Sequence, residues 1–152
     1  MLYKPVKIIA VDFDGTLVEH RYPEIGPEMP FAFEVLHRLQ LHGHKLILWT
    51  YRSGEFLKET IKFCEEKGIV FYAVNENYPG EMFEADISRK IYADVYIDDR
   101  NIGGFPGWPA IYHSLHPEDV AFLQKLQPGI FPGEAGLAKN WFDRLLNKWG
   151  LG

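Results

Sequence analysis

The sequence predicts a single α/β domain built on an open, doubly wound parallel sheet, with strand order 3-2-1-4-5 and helices on both faces. Three observations carry this. Short apolar runs rich in β-branched residues alternate with stretches of helical periodicity along the first hundred residues. The connections between the runs are long enough for right-handed crossovers. Two of the runs, KIIAVDFDGT at 7–16 and ADVYIDD at 93–99, end in paired acids, and carboxyl ends of parallel strands are where such sheets bind ligands.

In order, Ile8, Ile9, Ala10 and Val11 read as a buried strand stopped by Gly15. LVEHRYPEIGP is a turn-rich excursion over the Asp12 end of that strand. Phe31, Val35, Leu36 and Leu39 recur at helical spacing up to Gly43, placed as a C-terminal cap. KLILWT at 45–50 is the second strand. Ser53 is placed to cap a helix that turns Phe56, Leu57, Thr60, Ile61 and Cys64 inward. IVFYAV at 69–74 is the third strand, followed by the polar loop NENYPG and a short helical piece leading to Lys90. The fourth strand ends at Asp98 and Asp99, and Ala110 to Tyr112 is a candidate fifth. A helix follows Pro117 with Val120, Leu123 and Leu126 inward. Leu137, Trp141, Leu145 and Trp149 form an apolar helical stripe, wide enough to suggest a homo-oligomer contact.

The chain has 152 residues, 47% of them hydrophobic, and a formal net charge of -5. That size allows one real core, and the charge disfavours non-specific binding to nucleic acid or to an anionic membrane. A lone cysteine, Cys64, excludes an intrachain disulfide and a cysteine zinc cage. MLYKPVK enters the first strand without a signal-peptide pattern, and no apolar run reaches membrane-span length, so the expectation is a cytoplasmic protein. His42 and His44 are too few to hold a metal and read as surface residues.

The acids after strands one and four, Thr50 after strand two and Lys90 before strand four make a set. With DFDGT, ILWTYR, Lys90 and IDD in this order and spacing, the chain resembles the haloacid dehalogenase superfamily of phosphatases, over roughly its first hundred residues. The resemblance implies a Rossmann-like hydrolase domain over 1–152, with the motifs in 1–102 and an extension, 103–152, packed on the core. It implies a phosphomonoester hydrolase with Asp12 as the nucleophile that forms an aspartyl-phosphate. Asp14 would protonate the leaving oxygen and then activate water. Several carboxylates beside a phosphate call for a cation, and oxygen ligands suit Mg²⁺. The implied ligands are Asp12, the Asp14 backbone carbonyl and one of Asp98 and Asp99, with Asp99 favoured. Lys90 would neutralise Asp12 and the phosphate, and the Thr50 hydroxyl with the Tyr51 N–H would hold a phosphate oxygen. Gly15 allows the close turn, Thr16 would orient Asp14, and Arg52 stands where it could meet substrate.

Many members of that family carry an inserted cap domain that reads the leaving group. The stretches from Asp14 to Ile47 and from Asn75 to Lys90 are too short for one, so a capless cleft is expected, roofed by loops 20–27 and 75–82. The expected substrate is a small phosphorylated metabolite, a sugar or nucleotide phosphate; the alternatives are a macromolecular phosphoester or a non-catalytic phosphate- or Mg-binding signalling module. A receiver domain would need its acceptor aspartate after the third strand, where Val74 and Asn75 stand.

Overall fold

The computed structural model describes residues 5–127. The chain divides into two compact units, Met1–Asn101 and Ile102–Gly152. The first holds β1 (Ile8–Val11), α1 (Ala32–Leu41), β2 (Lys45–Leu48), α2 (Gly54–Glu66), β3 (Ala73–Val74) and β4 (Val95–Ile97). All pairings are parallel and the order is β3-β2-β1-β4. The five-stranded order 3-2-1-4-5 is therefore corrected to four strands among the described residues.

The strands form where continuous apolar runs can be buried on both sides. Ile9, Val11, Leu46, Leu48 and Ile97 are all buried. α1 and α2 meet through the Phe33 and Phe63 rings, 5.8 Å apart, and Phe63 meets Phe13 at 6.1 Å. Gly43, at φ 84, ends α1, and its N–H donates to Gln40 O, as a C-terminal glycine does. In α2 only Thr60 and Cys64 of the expected inward set are fully buried, and Ser53 stands at the N-cap without a side-chain capping bond.

The expected helices on both faces are corrected within this unit. On the face carrying Ala10, Ile47 and Ala73, the packing residues are Ile91 and Ala93 from the connector before β4. The helical piece expected before Lys90 is irregular. Its backbone is captured by side chains instead: Asn77 donates to Glu81 Oε1 at 2.9 Å, Glu81 Oε2 accepts from Asn77 N, and Asn77 Oδ1 accepts from Tyr92 N. Such local bonds compete with helix formation.

The second unit contains α3 (Trp108–Leu115) and α4 (Val120–Leu126). Ala110 to Tyr112, expected as a strand, lies inside α3. Pro109 in its first turn favours a helix, and a short apolar run alone cannot distinguish the two. Asp119 joins the pair: its carboxylate accepts from Tyr112 Oη at 2.5 Å and from the Phe122 N–H at the start of α4. Leu123 and Leu126 are buried as expected, while Val120 is exposed. The stripe from Leu137 to Trp149, with the subunit contact expected of it, lies outside the described residues. No helix among the described residues is long and apolar enough to cross a membrane.

Candidate active site

The sheet order places the site. β1 lies between β2 and β4, with Val11 opposite both Leu48 and Ile97. The residues leaving these strands therefore emerge side by side at one edge, and the Asp12 N–H still donates to Ile97 O at 2.9 Å. Asp12, Asp98, Asp99, Thr50, Tyr51 and Arg52 all line one cleft of about 600 Å³.

Asp12, Asp98 and Asp99 each offer an oxygen within 4.8 Å of the others. Burial and then the two neighbouring carboxylates push Asp12 up to about 7, against the lowering effects of the Phe13 backbone N–H and the Thr16 hydroxyl. Asp99 is raised too, by burial first and then by Asp98. Like charges this close favour either a shared proton or a bound cation. Three hard oxygen donors fit Mg²⁺. Asp98 also shapes the turn, since its Oδ1 accepts from Arg100 N at 2.8 Å.

Gly15 and Thr16 shape the site without lining it. Gly15 sits at φ 86, and a Cβ there would stand 2.2 Å from Asp99 Oδ2, so glycine is what lets the β4 acids approach. The Thr16 hydroxyl donates to Asp12 Oδ2 at 3.0 Å, which corrects the expectation that it orients Asp14. The Thr50 N–H donates to Asn75 Oδ1, and the Thr50 hydroxyl accepts from Arg52 N at 3.2 Å.

Arg52 lines the cleft with its guanidinium already bound to protein groups. It is 1% exposed. Its Nε and Nη2 reach the two oxygens of Asp14, each at 2.7 Å, while Nη1 and Nη2 donate to the carbonyls of Pro23 and Glu24. Its guanidinium also stands about 5 Å from the rings of Phe13 and Tyr22. One buried cation thus ties together the acid after β1, the exit of β2 and the excursion. Asp14 lines the cleft as well, with both its oxygens bonded to Arg52 and its carboxylate outside the trio.

Lys90 is corrected as well. It is exposed, does not line the cleft, and holds its ammonium 5.4 Å from the Tyr96 ring. The bond from Tyr96 Oη to Ile91 O and the Asn77 clasp keep that connector along β4. The expected roof is half right: His20 and Tyr22 line the cleft, whereas residues of the 75–82 loop border a separate pocket of about 130 Å³. Trp49 and Arg100 also line the cleft and were given no role in the sequence, although Trp49 lies inside ILWTYR and Arg100 directly follows IDD.

The fold and cleft together define an α/β protein with an acidic site at the carboxyl edge of a parallel sheet. The chain belongs to the same family as a conserved protein of Bacteroides thetaiotaomicron, whose solved structure is 52% identical and superimposes with a TM-score of 0.71 over 76% of this chain and 93% of that one. Filamentous growth regulator 27 of Candida albicans is 27% identical over 96 residues, which is 63% of this chain. The chain spans 12% of that protein's length. A scan against protein-family models finds no match.

Proposed function

We propose that the protein is a Mg²⁺-dependent phosphomonoester hydrolase that works through an aspartyl-phosphate on Asp12. The observation that carries the reading is the carboxylate trio at the mouth of β1 and β4, with Asp12 partly buried and its proton affinity raised. Asp12, Asp99 and the Asp14 carbonyl, with Asp98 beside them, would hold Mg²⁺, which when bound supplies charge neutralisation for the carboxylates and the phosphate.

The chain's own residues supply the rest. An Asp12 oxygen bonds to phosphorus while the bond to the leaving oxygen breaks, and the leaving oxygen takes the electron pair. Water then bonds to phosphorus and the Asp12 carboxylate is released. The Thr16 hydroxyl, donating to Oδ2, holds Asp12 in one orientation for the attack. Thr50 at the cleft wall has its hydroxyl proton to offer a phosphate oxygen. Asp14 is the acid and base of the cycle, and serving the leaving oxygen requires it to give up at least one of its two bonds to Arg52. The substrate is a small phosphorylated metabolite and the site of action is the cytoplasm. Cys64, buried and with its thiol pushed up to about 12 by burial, takes no part.

A second reading, a non-catalytic module that binds phosphate or Mg²⁺, is favoured by two observations: Lys90 stands outside the cleft, and both Asp14 oxygens bond to Arg52. One experiment separates the two. A panel of phosphorylated metabolites with Mg²⁺ should give turnover that EDTA abolishes; tight binding of Mg²⁺ and phosphate without release from any ester would support the module.

A further inference from the structure

Resting on the phosphatase reading, we infer that the leaving group is a nucleoside, recognised by its base on an aromatic wall of the cleft, so that the substrate is a nucleoside monophosphate. The cleft, at about 600 Å³, is the size of a pocket for a whole small molecule rather than for orthophosphate alone. Its lining sorts into two parts. One is polar, four aspartates with Thr50 and two arginines; the other is aromatic, the rings of His20, Tyr22, Trp49 and Tyr51.

Two of those rings stand as platforms. Tyr51 is 101% exposed, immediately after the phosphate-end Thr50. Tyr22 is half exposed and held in place, with the Arg52 guanidinium 5.2 Å from its centroid and Phe56 meeting it edge-on at 5.6 Å. A held ring with an open surface is suited to stacking, and every nucleobase has a face to stack. A sugar phosphate would ask for something else. Hydroxyl-rich groups are read by amide and carboxylate side chains; no Asn, Gln or Glu lines this cleft, and of its four aspartates Asp12, Asp98 and Asp99 form the trio and Asp14 is held by Arg52. Four guanidinium bonds of Arg52 are already given to Asp14, Pro23 and Glu24. Arg100, exposed at the rim, is placed to stack on a base or donate to its edge. The net charge of -5 disfavours a polynucleotide as the source of the phosphate.

The test compares the four common nucleoside 5′-monophosphates with ribose 5-phosphate, glycerol phosphate and a 5′-phosphorylated oligonucleotide, in the presence of Mg²⁺. The nucleotides are expected to exceed ribose 5-phosphate in kcat/KM by about tenfold or more, with little discrimination among bases, because stacking tolerates all of them. In Tyr51→Ala, a change at a fully exposed side chain, the preference for nucleotide over ribose 5-phosphate is expected to fall by about tenfold, and Tyr51→Phe should restore it. Calorimetry on Asp12→Asn should show the same preference as a ratio of Kd values, independent of turnover. Ribose 5-phosphate used as well as the nucleotides, or a preference untouched in Tyr51→Ala, overturns this inference and leaves the phosphatase reading standing. An oligonucleotide used ahead of the mononucleotides also overturns it. No turnover of any phosphoester overturns both.

Discussion

Replacing Arg52 by methionine keeps a long side chain in place but removes the charge and every donor. In the folded protein the Arg52 side chain is fully buried and the Asp14 carboxylate is 12% exposed. Breaking a buried ion pair from one side costs about 3–5 kcal/mol, because the remaining charge has lost its partner without regaining water. The carbonyls of Pro23 and Glu24 also lose a donor, but both residues lie on an exposed loop and water can replace it. A loss of about 4 kcal/mol is therefore expected for Arg52→Met. With a urea slope of about 2 kcal/mol/M, that lowers the unfolding midpoint by about 2 M. Urea unfolding followed by circular dichroism measures it, in a cycle with Asp14→Leu and the double variant. The double variant should recover most of the loss, since replacing a whole buried pair by apolar groups is close to neutral. A cost below about 1 kcal/mol for Arg52→Met would refute the claim that this pair is buried and structural in solution.

Three further outcomes are expected. Gly15→Ala would drive a Cβ to 2.2 Å from Asp99 Oδ2, so Mg²⁺ affinity measured by calorimetry should fall by about tenfold or more, and an unchanged Kd would remove Asp99 from the ligand set. Without Mg²⁺, Asp12 holds its proton more tightly folded, at about 7, than unfolded, at its ordinary 3.8. Stability from this group is therefore fully present below about pH 4 and is lost as pH rises towards 7; Asp12→Asn should flatten that slope in urea unfolding between pH 5 and 7.5, and an identical slope would contradict the assignment. Lys90→Gln should change turnover by no more than about threefold, the size of a surface substitution, whereas a hundredfold loss would mean that Lys90 reaches Asp12 during the cycle.

The parts of this site that follow from local pattern were legible in the chain. β1 and β4 announce themselves as apolar runs ending in acids, and adjacency of parallel strands then brings Asp12, Asp98 and Asp99 together. What was not legible depends on distant closure. Arginine is mostly a surface residue, and nothing local to Arg52 reveals a partner 38 positions away in Asp14. Thr16 stands two residues from Asp14 and four from Asp12, and only the turn at Gly15 decides that it bonds the latter. Lys90 was assigned through its place in the ordered motif set; the Asn77 side chain, by taking Glu81 and the Tyr92 N–H, fixes the path of the connector that carries it. The run at Ala110 to Tyr112 is too short for its periodicity to tell strand from helix, and Pro109 was the signal that favoured the helix.

On the proposed mechanism a phosphoryl group passes through Asp12. Quenching the protein in acid during turnover of a nucleoside monophosphate with Mg²⁺, reducing with borohydride and sequencing the peptides by mass spectrometry tests it directly, because reduction of an aspartyl-phosphate leaves homoserine in place of that aspartate. Homoserine is expected at position 12 and at no other aspartate, in an amount that rises with substrate and is abolished by EDTA. Sustained phosphate release without modification at Asp12, together with undiminished turnover in Asp12→Asn, would contradict it.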